Sequence, residues 1–450
     1  MTATLTVGSA PGALPLLGHA LALGRRPLDF LESLPAHGDL VRVKLGPWPA
    51  YVVCHPDLVH QILVEDRTFD KGGPTFDKAR KVAGNGLGTC GHREHRRQRR
   101  LVQPAFRRDR IPGYARVMTE QIAAVTEPWH DGQIIDVLTV MNALAMAIAT
   151  RTLFTAEVDE STFIEIQQCV NDVLIGVARR VVMPLELLDK LPTRGNRRFD
   201  RARNRLRHHI DQLITNYRRA GIDHGDLLSM LLAARDDGGG GLADSEIHDQ
   251  VLTFFVAGSE STAAALSWAW HLLGCHPDIQ ARLHNEVDTV LEGRIAEYSD
   301  IPKLKLTGRI INETLRLYPA SWMRTRLTTT DTELAGQHLP AGTIVVFSIY
   351  VLHHRADLYS DPNRFDPDRW QDDNTPALPR GAFIPFGGGA RKCIGDVFAM
   401  TEATLALASI ATRWQFDPLP RARVRPAARL ILAPHSLRMR LRQRGPSGLT

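Results

Sequence analysis

FGGGARKCIGDVFA, residues Phe386 to Ala399, sets one cysteine between a glycine-rich turn and the start of an apolar helix. Cys393 can be read there as a buried hydrophobe, a nucleophile or a metal ligand. A thiolate needs compensation for its charge. The stretch offers it from backbone N–H groups turned inward by the glycines and from the N-terminus of a helix beginning near Gly395. That setting suits a metal-bound thiolate, although an inert, buried state is the usual fate of a lone cysteine.

The rest of the chain narrows the choice. Its five cysteines, at 54, 90, 169, 275 and 393, are odd in number and contain no C-x-x-C pair. Neither a disulfide framework nor a structural zinc site is indicated, and a cytoplasmic location is expected. The N-terminal apolar run is cut by Pro11, Gly12, Pro15 and Gly18, far short of the ~20 apolar residues of a membrane span, so no membrane anchor is expected. With 450 residues, 44% of them hydrophobic, the chain can bury a large core. Its net charge of +6 favours acidic partners without implying nucleic acid.

Outward from the cysteine, helix dominates. Residues 39–56 alternate as a strand pair turning at Gly46 and Pro47, followed by a helix from about Pro56 to Val64. Residues 71–91 hold six glycines and read as a mobile loop. From Ile111 to Ala234 the pattern is mostly helical. A 33-residue segment stopped by Pro277 reads as one rod, with Asp244 and Ser245 as cap candidates. Residues 326–352 contain further strands. The expected fold is mainly α with small β-sheets.

Three motifs precede the cysteine in order. His92 to Arg100 carries five arginines and alone reads as a solvated face or an anion-binding patch. Ala257 to Thr262, AGSEST, is a polar island in an apolar helix. Its glycine and its hydroxyls, which can bond back to the preceding turn, loosen the helix into a groove. Glu313 and Arg316, in ETLR, share one helix face and can pair with a third partner.

Phe386, Gly387, Gly389, Arg391, Cys393 and Gly395 match F-G-x-G-x-R-x-C-x-G. With the motifs above, the chain resembles a cytochrome P450 over essentially its whole length. The resemblance implies a single large domain, residues 1–450, around haem b, with Cys393 as axial iron ligand in a loop spanning 386–395. It implies a structural triad of Glu313, Arg316 and Arg369, and haem propionates held by His95, Arg99, Arg326 and Arg391. His95 stands where the family has tryptophan. Glu260 and Ser261 would form the proton-relaying acid–alcohol pair. Serine replaces the usual threonine there, and Thr262 is a fallback donor.

The activity so implied is monooxygenation. Its electrons would come from a separate ferredoxin and an NAD(P)H-dependent ferredoxin reductase drawn to Arg96, Arg97, Arg100, Arg391 and Lys392. Leu252, Phe254, Phe255 and Val256 would offer an apolar wall for an apolar small molecule, with no nucleic-acid partner. A finer similarity, to actinobacterial oxygenases of sesquiterpene hydrocarbons, implies stepwise oxidation of an allylic methyl on a pentalenene-like skeleton to alcohol and aldehyde in terpenoid antibiotic biosynthesis. A fatty-acid hydroxylase of the same family, and a haem sensor or isomerase without oxygenase activity, are the alternatives.

Overall fold

The structure, a computed structural model, describes residues 5–46, 48–154, 159–182, 191–236, 238–371, 378–420 and 423–445. Helices predominate and the sheets are small, as expected. Among the described residues no helix is long and apolar enough to cross a membrane. The chain divides into two compact units.

The first unit comprises Met1–Gly73, Arg309–Cys393 and Pro426–Ala433. It is built on a six-stranded sheet in the order Val7–Ser9, Leu40–Leu45, Trp48–Val53, Ile344–Ser348, Met323–Thr328 and Phe69–Asp70. The expected hairpin is the antiparallel pair Leu40–Leu45 and Trp48–Val53, which turns at Gly46 with φ 64°; Pro47 lies outside the described residues. The helix Pro56–Val64 starts with proline at its first position, and His55 Nδ1 accepts the Asp57 N–H at 3.3 Å. Its apolar face, Leu58, Val59, Ile62 and Leu63, packs on Leu40, Val53, Val345 and Phe347 of the sheet. Tens of kcal/mol of gross burial in such cores are needed merely to offset chain entropy.

The second unit comprises Pro74–Gly308, Ile394–Arg425 and Pro434–Thr450. Its axis is the unbroken 32-residue helix Asp244–Cys275, about 48 Å long at 1.5 Å per residue. The cap is Ala243 rather than Asp244 or Ser245. Glu246 reaches back one turn and its Oε2 accepts the Ala243 N–H at 2.9 Å, so no hydroxyl or carboxylate is needed at the cap itself. The helix packs chiefly on Val137–Leu153, and Trp270 stacks on Phe416 with ring centroids 4.2 Å apart.

Residues 71–91 are not a structureless loop. Pro74–Ala83 is a helix packed against the helix Glu160–Val182. Its glycines flank it instead of interrupting it. Gly84, at φ 80°, takes the left-handed position after the last turn and donates its N–H to Arg80 O at 3.0 Å.

Candidate active site

The cysteine loop belongs to the first unit. Gly387 and Gly389 hold φ of 70° and 63°, which a side chain would strain. A Cβ on Gly389 would also lie 1.9 Å from the Leu63 carbonyl oxygen, because the turn presses on the helix Pro56–Val64. The Cys393 N–H donates to Phe386 O at 2.9 Å and closes the loop. The Cys393 side chain is left exposed, whereas Cys54, Cys90 and Cys169 are buried. Burial pushes the Cys54 thiol up to about 12; Cys54 is the inert hydrophobe that Cys393 is not. Two residues on, Gly395 caps the helix Asp396–Arg413 of the second unit.

Beside the loop lies a concentration of arginine. Arg324 and Arg326 alternate on the strand Met323–Thr328 and so share one face. Arg326 is 5% exposed, and its Nη1 donates to Thr325 O at 2.8 Å. Burial first, then repulsion from Arg324 and Arg391, lower its pKa to about 9 against the pull of Asp70 and Asp66; at neutral pH it remains a cation. Arg391 pairs with Asp70, with its side chain only 2% exposed. Burial lowers the pKa of Arg324 too, and the neighbouring Cys393 opposes this by favouring the charged guanidinium.

Three guanidiniums thus face two carboxylates beside an accessible thiol. This donor set fits a metal-bearing ligand with anionic arms, as haem with its two propionates is. Arg324 escaped the sequence reading, although its two-residue spacing from Arg326 was the available signal.

The E-x-x-R motif forms the expected triad, also within the first unit. Arg316 Nη2 lies 2.7 Å from Glu313 Oε1, and both side chains are 0% exposed. Arg369 Nε approaches the same oxygen at 3.5 Å. The Trp370 indole donates to Glu313 Oε2 at 2.9 Å and the Asp366 N–H to Oε1 at 3.1 Å. Arg316 Nη1 also donates to the carbonyls of His353 and Pro362. His353 links this cluster to the cysteine loop. Its Nε2 accepts the Ile384 N–H at 3.0 Å, which leaves Nδ1 to donate to Arg316 O at 3.2 Å. Burial lowers the His353 pKa to about 3, so the ring is neutral. His353 carries no signal in the sequence, because its partners are set by the fold.

In the second unit, the basic cluster is the helix His92–Val102. His95 is 2% exposed and Arg99, one turn on, is half-buried. Arg97 is not available to an outside partner. Asp236 Oδ2 at 3.2 Å, Glu246 Oε1 at 2.7 Å and Gly241 O at 2.7 Å engage it and tie this helix to the start of the long one. The expectation that Arg97 and Arg391 draw a redox partner is corrected on this ground: both charges are matched inside their own units. Arg96, Arg100 and Lys392 are exposed.

In the polar island of the long helix the expected hydroxyl back-bonds form, but they do not interrupt the helix. Ser259 Oγ donates to Phe255 O and Ser261 Oγ to Ala257 O, each at 2.6 Å, and the helix stays continuous. Among the described residues no hydrogen bond or ion pair engages Glu260, and burial alone raises its pKa. Thr262 is buried. Phe255 is core: it is fully buried and packs on Phe154. Glu402, on Asp396–Arg413, is a second buried acid that the sequence reading missed, driven towards its neutral form by burial.

A cytochrome P450 family model matches residues 9–439. The cyclooctat-9-en-7-ol 5-monooxygenase of Streptomyces melanosporofaciens is 51% identical over 416 residues, 92% of this chain and 90% of that protein. The pentalenene oxygenase of Streptomyces avermitilis is 49% identical over 444 residues, 98% of this chain and 99% of the relative. Among solved structures, the cytochrome P450DA heme domain superposes with a TM-score of 0.88 at 26% identity, covering 98% of this chain and 99% of that one.

Proposed function

The chain belongs to the cytochrome P450 family, as a monooxygenase with haem b as its cofactor, and we propose that it oxygenates a terpenoid of the sesquiterpene or diterpene type. The observation that carries the substrate class is the identity of about half over nearly the whole chain to pentalenene oxygenase. The finer reading is stepwise oxidation of an allylic methyl, through alcohol to aldehyde, in terpenoid antibiotic biosynthesis.

Bound haem b supplies the oxygen-activating chemistry. Cys393 would hold its iron through the sulfur, presented by a turn whose positive φ at Gly387 and Gly389 favours glycine. Arg326 and Arg391 would hold the propionates, with Arg324 as a further cation beside them, and by the family resemblance His95 and Arg99 would do the same. Glu260 holds a proton at its carboxyl in a partly desolvated setting, and the Ser261 hydroxyl passes it on after leaving the Ala257 carbonyl. Thr262 can substitute as donor. Glu313, Arg316 and Arg369 work at a distance, fixing through His353 the segment that leads into the cysteine loop. Electrons come from a ferredoxin and an NAD(P)H-dependent ferredoxin reductase, with the exposed Arg96 and Arg100 as attractors for an acidic partner.

The test is a spectral titration of the ferric protein with pentalenene, cyclooctat-9-en-7-ol and a long-chain fatty acid in turn. A saturating shift of the Soret band with a terpenoid and none with the fatty acid supports the reading. A shift with the fatty acid alone moves the assignment to lipid hydroxylation.

A further inference from the structure

Within the second unit, the helix His92–Val102 carries His95 and Arg99, and the helix Asp244–Cys275 carries Glu260 and Ser261. Two side-chain rungs join them. One is the Arg97–Glu246 pair described above. The other is buried: Gln250 Nε2 donates to Gln98 Oε1 at 2.9 Å, with the two residues 0% and 2% exposed. On its own helix Gln98 shares the buried face with His95, one turn earlier. On the long helix, Glu246, Gln250, Ala257, Glu260 and Ser261 fall within about 100° of arc at 3.6 residues per turn. Both rungs therefore meet the face that bears the acid–alcohol pair, and Ser261 stands about three turns beyond Gln250.

The amides of the buried rung cannot be reversed. Gln250 Oε1 accepts the Leu87 N–H at 3.1 Å, and Gln98 Nε2 donates to Asn85 O at 2.9 Å. Each amide thus faces a backbone group of fixed polarity, and the bond between them has one direction. The segment that supplies those groups is pinned in turn. Asp249 Oδ2 accepts the Asn85 N–H at 2.8 Å. Gly84 and Gly86 let its backbone lie against the long helix, since a Cβ would come 2.0 Å from Asp249 Oδ1 at the first and 2.2 Å from Thr253 Oγ1 at the second. The bonds close a ring through two helices and the loop before the first.

A neutral buried pair adds little net stability over an apolar one of the same shape, because each of its bonds replaces a bond to water. What it adds is register. A slip of one helix along the other would leave buried amide groups without partners, in surroundings where that is costly.

We infer that Gln98 and Gln250 are positioning residues for the oxygenation: their locked amides set the helix that bears His95 and Arg99 in one register against the face that bears Glu260 and Ser261. The inference rests on the roles given above to those four residues. The test uses haem-loaded Gln98→Met, Gln250→Met and the double variant, with urea midpoints and the carbon monoxide Soret band confirming fold and ligation.

Product formed per NAD(P)H consumed is expected to fall roughly tenfold in either single variant and no further in the double, because the pair acts as one. The haem reduction potential should shift in the same pattern. Thr307→Val, which takes an equally buried hydroxyl from the Glu286 carboxylate, should lower the midpoint and move neither readout. Coupling and potential unchanged in the folded, loaded variants, or losses that add in the double, would overturn the inference. If Gln250→Met takes up no haem, Gln98→Met decides alone, since Gln250 still holds the Leu87 N–H there. Arg99→Gln separates the inference from its premise. A shifted potential in Arg99→Gln beside silent glutamine variants removes the register role and leaves the propionate reading, whereas silence in Arg99→Gln removes both.

Discussion

Glu313 and Glu260 are both glutamates in helices, both withdrawn from water, and they do opposite things. Glu313, in the first unit, is saturated: two arginines, an indole and a backbone N–H occupy its oxygens. Glu260, in the second, has no such partner, and burial raises its pKa. A carboxylate held on every side is a structural tie, whereas one that burial disfavours as an anion, and that no hydrogen bond or ion pair engages among the described residues, is suited to passing on a proton. The contrast is energetic as well. Removing one partner of a buried pair leaves an uncompensated charge, while neutralising Glu260 removes only a group that burial already disfavours as an anion.

The contrast can be broken at four places. Glu313→Ala should cost about 3–5 kcal/mol by stranding Arg316, read as a lower urea midpoint and poor haem incorporation; an unchanged midpoint would mean that the triad is decorative. Glu260→Gln should leave that midpoint within about 1 kcal/mol of wild type and slow product formation by roughly a hundredfold. Equal damage to stability and turnover would make Glu260 another structural tie.

The third place is the histidine that joins the triad to the cysteine loop. His353 is neutral when folded, with its pKa lowered to about 3, but takes a proton near pH 6.5 when unfolded. The unfolded state then binds more protons, so this contribution is full above about pH 6.5 and is lost as the pH falls towards 3. At pH 5 the loss should be about 2 kcal/mol. Urea midpoints at pH 7 and pH 5 measure it, and His353→Gln should flatten the difference. The smallest effect is expected at Ser261→Ala, a several-fold fall in product formed per NAD(P)H consumed. An unchanged ratio would hand the donor role to Thr262.

What was legible in the sequence follows the range of the interactions. The cysteine turn, the E-x-x-R pair and the helix Pro56–Val64 are written in spacings of a few residues, and the sequence reading found them. Arg97 and Arg391 were assigned to an outer surface because their partners, Glu246 and Asp70, lie 149 and 321 residues away along the chain. His353 is invisible in the sequence for the same reason, whereas Arg324 had a short-range signal in its spacing from Arg326. Pro74–Ala83 was hidden differently: the glycines that end it were read as belonging to it.

The comparison between the two glutamates presupposes a haem ligated by Cys393, and that claim has a direct measurement. It is the Soret position of the reduced, carbon monoxide-bound protein, wild type against Cys393→His. The account predicts the red-shifted band of thiolate ligation in the wild type and its loss in the variant, with haem still bound through the imidazole. A band at the same red-shifted position in Cys393→His would contradict it, because the ligand would then be another residue.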